Sequence, residues 1–196
     1  MRHIASAFIA VAVLTLVQVD AQQRRPASPE GVASAQINNR WIDIVHGKPI
    51  LRGRTNIFGS GADYGKTLFD GGTVWRAGAN VSTRLRNEMP LEIGSKRIPP
   101  GELVIVIDLK SPKDWTFVLT SQSYATTYNP QNTKDLYGAY NYRPDNDVTR
   151  APMTVEALPY SVEQLMWWFT DVTPAGGTMR VAWEKVMASV PFKILP

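Results

Sequence analysis

The sequence predicts an all-β chain, mainly antiparallel: a β-sandwich or flattened barrel of about eight or nine strands, with long loops and little helix. Three observations predict it. No long stretch carries apolar residues at helical spacing, short β-branched and aromatic runs recur along the chain, and clusters of Gly, Pro and Asn separate them. The chain has 196 residues, of which 44% are apolar and 19% charged, which excludes a disordered tail. That length suits one domain, able to bury about two-thirds of its unfolded surface without a metal or cross-link. It contains no cysteine, so a disulfide framework, a thiolate zinc site, a thiol nucleophile, an iron–sulfur cluster and a lipidated cysteine are all excluded.

Taken in order, the elements begin with a hairpin. Gly31 to Ile37 and Trp41 to His46 are β-prone runs joined by the turn-forming Asn38-Asn39-Arg40. From Val81 to Asn87, Val81, Thr83 and Leu85 alternate with Ser82, Arg84 and Arg86, the period of a half-buried strand. Leu103 to Leu109 is a continuous apolar run broken only by Asp108. The turn Ser111-Pro112-Lys113-Asp114 joins it to Trp115–Thr120, making the clearest hairpin. A polar, aromatic loop spans Ser121 to Asn146. Strands are then expected at Thr149–Leu158, Val162–Val172, Met179–Trp183 and Val186–Ile194, with Pro174-Ala175-Gly176-Gly177 as a turn. Pro191 implies an edge or the end of pairing. The adjacent Trp167 and Trp168 must point to opposite faces of a regular strand. Trp41, Trp115 and Trp183 also fall within expected strands, and most of these indoles read as core.

The N-terminus reads as an address. A basic start (Met1-Arg2-His3) precedes an apolar run from Ile4 to Val19, and Val19-Asp20-Ala21 places small residues at the positions that precede a cleavage site. The expectation is a signal peptide over 1–21, a flexible lead-in over 22–30 and one domain over 31–196. Secretion or a periplasmic location then follows cleavage near Ala21, and the mature chain is expected to have no transmembrane segment. The charge is uneven: from Gln22 to Pro100 there are 12 basic and 6 acidic side chains, and from Gly101 onward 8 basic and 10 acidic. The basic residues are scattered and no nucleic-acid motif appears, so a nucleic-acid partner is not expected.

Several segments resemble a bacterial family, domain of unknown function 2911. They are Lys48-Pro49, Arg52-Gly53-Arg54, Ile57-Phe58-Gly59 and Tyr64-Gly65-Lys66, then Val74-Trp75-Arg76-Ala77-Gly78-Ala79-Asn80. Further on come Ile98-Pro99-Pro100-Gly101-Glu102, Trp115-Thr116, Tyr137-Gly138-Ala139-Tyr140-Asn141-Tyr142, Asp147 with Arg150, and Val181-Ala182-Trp183-Glu184. The order is kept over nearly the whole mature chain. His46-Gly47, the extra residues between Gly59 and Trp75, and Pro100 depart from the pattern. The resemblance implies an exported, predominantly β protein and carries no established activity.

The chemistry-bearing residues exclude more than they identify. His46 is the one histidine after the expected cleavage site, too few for a His-based zinc or copper site, and no Gly-x-Ser-x-Gly elbow accompanies it. No metal and no cofactor are expected. Asp145 and Asp147 beside Asn141 resemble calcium ligands, but Asp-Asn-Asp is also an Asx-turn pattern, and Asp147 with Arg150 reads equally as a loop-closing ion pair. Glu102 and Asp108 share a strand face yet sit about 20 Å apart at about 3.3 Å per residue, too far for a dyad. The leading site candidates are Arg52, Arg54, Lys66, Trp75, Arg76 and Asn80, in a Gly-rich connection between strands. Guanidinium forks bind carboxylate or phosphate, and an indole face stacks on a ring or cation. The same side chains would alternatively tie the long loop to the sheet by donating to backbone carbonyls. A second candidate is the aromatic loop, with Tyr137, Tyr140 and Tyr142, as a stacking platform or as packing over one end of the sandwich. The expected function is a non-catalytic binding or interaction module for a small polar or anionic molecule or an envelope component. The alternative is a carboxylate-dependent hydrolase acting on an envelope or carbohydrate substrate.

Overall fold

In the computed structural model, residues 27–69 and 72–196 are described; the expected signal peptide and the lead-in through residue 26 lie outside them. Ten strands form two antiparallel sheets that face one another and do not close into a barrel. β1 (Glu30–Ile37), β2 (Arg40–Gly47), β3 (Thr83–Asn87), β6 (Gly101–Ser111), β7 (Asp114–Thr120) and β8 (Asp147–Pro152) make the larger sheet, in that order. The smaller runs β5 (Lys96–Ile98), β4 (Leu91–Ile93), β10 (Gly176–Ile194), β9 (Thr154–Thr173). One helical turn, α1 (Lys66–Phe69), lies in the β2–β3 connection. The fold is thus the expected all-β sandwich, with ten strands rather than eight or nine.

Local chemistry explains the elements. Asn38 and Asn39 both adopt left-handed φ, 50° and 61°, which is the mirror-image turn a two-residue hairpin needs and which asparagine tolerates best after glycine. The hairpin β4–β5 was not expected, because three-residue strands are too short to show a period; Gly94 and Ser95, at φ 58° and 65°, turn it the same way. Along β6, Ile105, Ile107 and Leu109 enter the main core between the sheets, while Val104 and Val106 enter a second cluster with Val118, Val74, Leu136 and Ala139. That second cluster lies on the outer face of the larger sheet and is roofed by the 121–146 loop. Both faces of β6 are therefore buried, which is why its sequence is continuous rather than alternating.

The four strands expected after residue 148 are three. Thr154 to Thr173 is continuous, and so is Gly176 to Ile194. Glu184 pairs with Val162 and Val186 with Ala157, so four residues of β9, Leu158 to Ser161, oppose only Lys185. The apparent strand ends at Leu158 and Trp183 are the two sides of this one bulge, with Glu184 at φ 52°. Pro191 falls between the last pair with β9, Ser189–Thr154, and the first with β4, Lys193–Glu92, where its missing N–H breaks no ladder bond. Trp167 is buried and Trp168 half-exposed, on opposite faces as the alternation requires. Trp41 is the exception among the indoles read as core, at 44% exposed.

Candidate functional site

The described residues of the β2–β3 connection, 48–69 and 72–82, form a wall of the core rather than a surface loop. Trp75 exchanges both backbone hydrogen bonds with Ile107, each 2.8 Å, which seats it at the edge of β6. Its indole is 2% exposed, stacks on Trp183 at 6.5 Å and meets Phe58 and Trp115 edge-on at 5.6 and 5.8 Å. Trp115 Nε1 donates to the Tyr64 hydroxyl at 2.9 Å, which satisfies the buried indole N–H. Leu51 N–H donates to Glu163 O and Leu165 N–H to Pro49 O, stitching the connection to β9. Glu184 then accepts from the backbone N–H groups of both Asn56 and Ile57. Asn56, at φ 52°, and Gly59, at φ 70°, carry the sharp bends this route requires.

Above the aromatic cluster opens a cleft of about 420 Å3, lined among others by Arg54, Trp75, Arg76, Asn80, Tyr137 and Trp183. Four of the six leading candidates therefore converge, joined by Tyr137 from the aromatic loop. Arg54 lies over the Trp183 ring at 5.7 Å and donates from Nε to Leu51 O at 3.0 Å and from Nη2 to Ile50 O at 2.9 Å. Asn80 Nδ2 donates to Ser28 O at 3.2 Å. Arg76 is buried, donates from Nη1 to Asn80 O at 2.9 Å and lies 5.8 Å from the Tyr140 ring centre. It packs directly on Gly138: a Cβ there would come 2.4 Å from Arg76 Nη1, and φ is 64°, so two distant motifs meet at a contact that a side chain at 138 would crowd. Among the described residues, no hydrogen-bond partner lies at Arg54 Nη1, Asn80 Oδ1 or the Tyr137 hydroxyl. Trp183, which lines the same cleft, likewise has a buried Nε1 with no hydrogen-bond partner among the described residues.

The remaining candidates sit elsewhere. Arg52 lines an adjoining hollow of about 380 Å3 that shares Arg54 and Ser28 with the cleft. Lys66 reaches Asp63 at 2.8 Å on the open surface, and the Lys66 ammonium, by hydrogen bond and then by charge, holds the Asp63 carboxyl below its usual range. Trp75 presents its indole to the core more than to the cleft. Tyr137 and Tyr140 pack with Tyr128 at 5.4 and 6.1 Å around a small cavity of about 100 Å3. Tyr142 is separate from them: its hydroxyl donates to Asp147 at 2.7 Å and receives Arg150 Nη1 at 3.1 Å. Burial first, and the Asp147 carboxylate second, push this phenol well above its usual range. The loop carrying these rings covers the outer face of the larger sheet, not an end of the sandwich.

The carboxylates are held by cations. Arg150 bridges Asp147 and Asp108 at 2.8 and 2.6 Å. Glu102 accepts from Arg86 and from the Tyr124 hydroxyl. Burial alone would raise its pKa, but hydrogen bonds from Tyr124 and Arg86, with the charges of Arg86 and Arg84, bring it below the usual value. Arg84 is the cation missed from the sequence. Alternation places it on the solvent side of β3, yet it is 7% exposed, 5.1 Å from the Tyr124 ring centre and flanked by Glu30 and Glu102 at 3.5 and 3.8 Å. Only the roof supplied by the 121–146 loop buries it, and the period of β3 carries no trace of that roof.

His46 is buried beside a hollow of about 190 Å3 that also touches Glu30, Asn80 and Arg84. Its Nδ1 lies 3.3 Å from Ile44 O; a carbonyl only accepts, so Nδ1 carries the proton in the neutral ring. Desolvation lowers its pKa below 6.5, opposed by the Ile44 bond, and the Lys48 charge lowers it further. Below pH 6.5 the unfolded ring takes up a proton that the folded ring refuses, so stability is whole above 6.5 and falls as pH drops toward the folded value. Urea unfolding at about pH 7.5 and about pH 5 is expected to show this loss, and His46→Gln to reduce it.

A family model described as "Protein of unknown function (DUF2911)" matches residues 28–192. The chain belongs to this family. No curated protein and no solved structure matches it. Several of the motifs that carry the family resemblance hold the β2–β3 connection: Trp75 and Trp183 stack, Glu184 receives the Asn56 and Ile57 amides, and Arg76 seats on Gly138. Among the described residues, no helix is long and apolar enough to cross a membrane and no cluster of His, Asp or Glu is arranged to hold a metal ion.

Proposed function

We propose that the protein is an exported, non-catalytic binding module that takes a small polar or anionic molecule in the cleft beside Arg54, Arg76 and Asn80. The observation that carries this reading is the convergence of four separated segments, around Arg54, Arg76–Asn80, Tyr137 and Trp183, on one concave surface with guanidinium groups at its edge. Arg54 is exposed and backed by an indole face, so its charge is held in place while Nη1 stays available to a carboxylate or phosphate oxygen. The backbone ties of Arg54 and Asn80 support the same reading, since they orient the donors before a ligand arrives. Export rests on the Met1–Ala21 pattern.

A carboxylate-dependent hydrolase needs two carboxyl groups facing one pocket, and its general acid is kept protonated by a raised pKa. Glu102, Asp108 and Asp147 are instead bound to arginines, and Glu102 is lowered. Calorimetric titration with citrate and with inorganic phosphate tests the binding reading. Saturable binding at low salt, weakened at least about tenfold by Arg54→Met and by added salt, is expected. Identical titrations of wild type and Arg54→Met would refute it.

A further inference from the structure

A second cleft, of about 430 Å3, shares no lining residue with the first. Its walls are Phe58, Tyr64, Pro112, Val155, Ala157 and Val186. Val186 and Ala157 are register partners on the face of the smaller sheet that carries Ala188 and Val190 into the core. Yet Ala157 is exposed and Val186 only half-buried. At this end of the sandwich the opposing layer is not a strand but the β6–β7 turn and the 56–64 segment, which stand off and leave core-facing side chains open to solvent. The volume falls in the range of sites for small molecules, about 300–1,000 Å3, and the mainly apolar wall is their usual lining.

The charged groups at the cleft decide the ligand's head. Glu184 is committed to the Asn56 and Ile57 amides, and Glu156 lies 3.7 Å from Arg180. Lys113 and Lys185 line the same cleft and form no ion pair among the described residues. We infer that this cleft binds an amphipathic small molecule, its apolar body against Phe58, Val155, Ala157 and Val186 and its anionic head at Lys113 and Lys185. Medium-chain carboxylates are the class that fits. Burial of the chain supplies most of the affinity, and two exposed, flexible lysines add a smaller, salt-sensitive part.

Decanoate and its uncharged counterpart decanol are the probes, titrated calorimetrically into the full chain. Phe58 lies 5.1 Å from the Trp115 ring and Tyr64 accepts its N–H, so tryptophan emission gives a second readout. Decanoate is expected to bind saturably at one site, and several-fold more tightly than decanol. Ala157→Trp, at an exposed position that leaves the core untouched, should weaken decanoate at least about tenfold by filling the cleft. Charge reversal of both lysines, Lys113→Glu with Lys185→Glu, should remove the preference for decanoate over decanol. Citrate at matched ionic strength should not displace decanoate, which keeps this cleft distinct from the first. Absence of saturable decanoate binding, unchanged affinity in Ala157→Trp, or equal affinity for decanol in the wild type would each overturn the inference.

Discussion

Trp75→Ala is expected to destabilise the protein by about 3–5 kcal/mol. The indole is 2% exposed and stands among three other rings, stacked on Trp183 and edge-on to Phe58 and Trp115. Its removal leaves a void that none of the three neighbours can fill, because each is fixed by its own strand or turn. In a chain of this size the loss corresponds to a fall in Tm of roughly 6–20 °C, readable by calorimetry. Trp75→Phe keeps part of the ring contact and should lose less. Because Trp75 and Trp183 also line the Arg54 cleft, the alanine variant should lose ligand affinity along with stability.

Glu184→Ala is expected to cost about 2–3 kcal/mol, measured by urea unfolding. The carboxylate accepts two backbone N–H groups, from Asn56 and Ile57, and Ile57 is buried where water cannot replace the lost acceptor. Bonds to a charged acceptor are the stronger kind, and an orphaned buried donor carries its full desolvation penalty. Glu184→Gln retains an acceptor without the charge and should fall between wild type and alanine. A like-sized loss in both variants would mean that the charge, not the acceptor geometry, holds the connection.

Much of the fold was legible because alternation and turn chemistry act over a few residues. Asn38-Asn39 announced its hairpin, and Ser111 to Asp114 announced the β6–β7 turn. The sequence reading went astray where a distant segment set the environment. Arg84 read as solvated because the 121–146 loop that buries it lies far along the chain. The bulge opposite Lys185 read as two strand ends, since three extra residues interrupt the period as a loop would. Within the candidate site, the arginines and Asn80 were visible as polar groups in a Gly-rich connection. Their convergence with Tyr137 and Trp183 was not, since it follows from Trp75 bridging to Ile107 and Arg76 seating on Gly138. The apolar cleft had no local signal either: Val155, Ala157 and Val186 carry an ordinary strand pattern, and only the missing opposite layer exposes them.

Residues 48–69 and 72–82 form a fixed wall of the sandwich, so the cleft exists before any ligand binds. Native-state amide hydrogen exchange at Leu51, Ile57 and Trp75 tests this most directly. Their N–H groups donate to Glu163 O at 2.8 Å, to Glu184 Oε2 at 3.1 Å and to Ile107 O at 2.8 Å. Protection approaching that of the β6 and β7 amides is predicted. Exchange at the rate of an unstructured loop, while those strands stay protected, would contradict a preformed site.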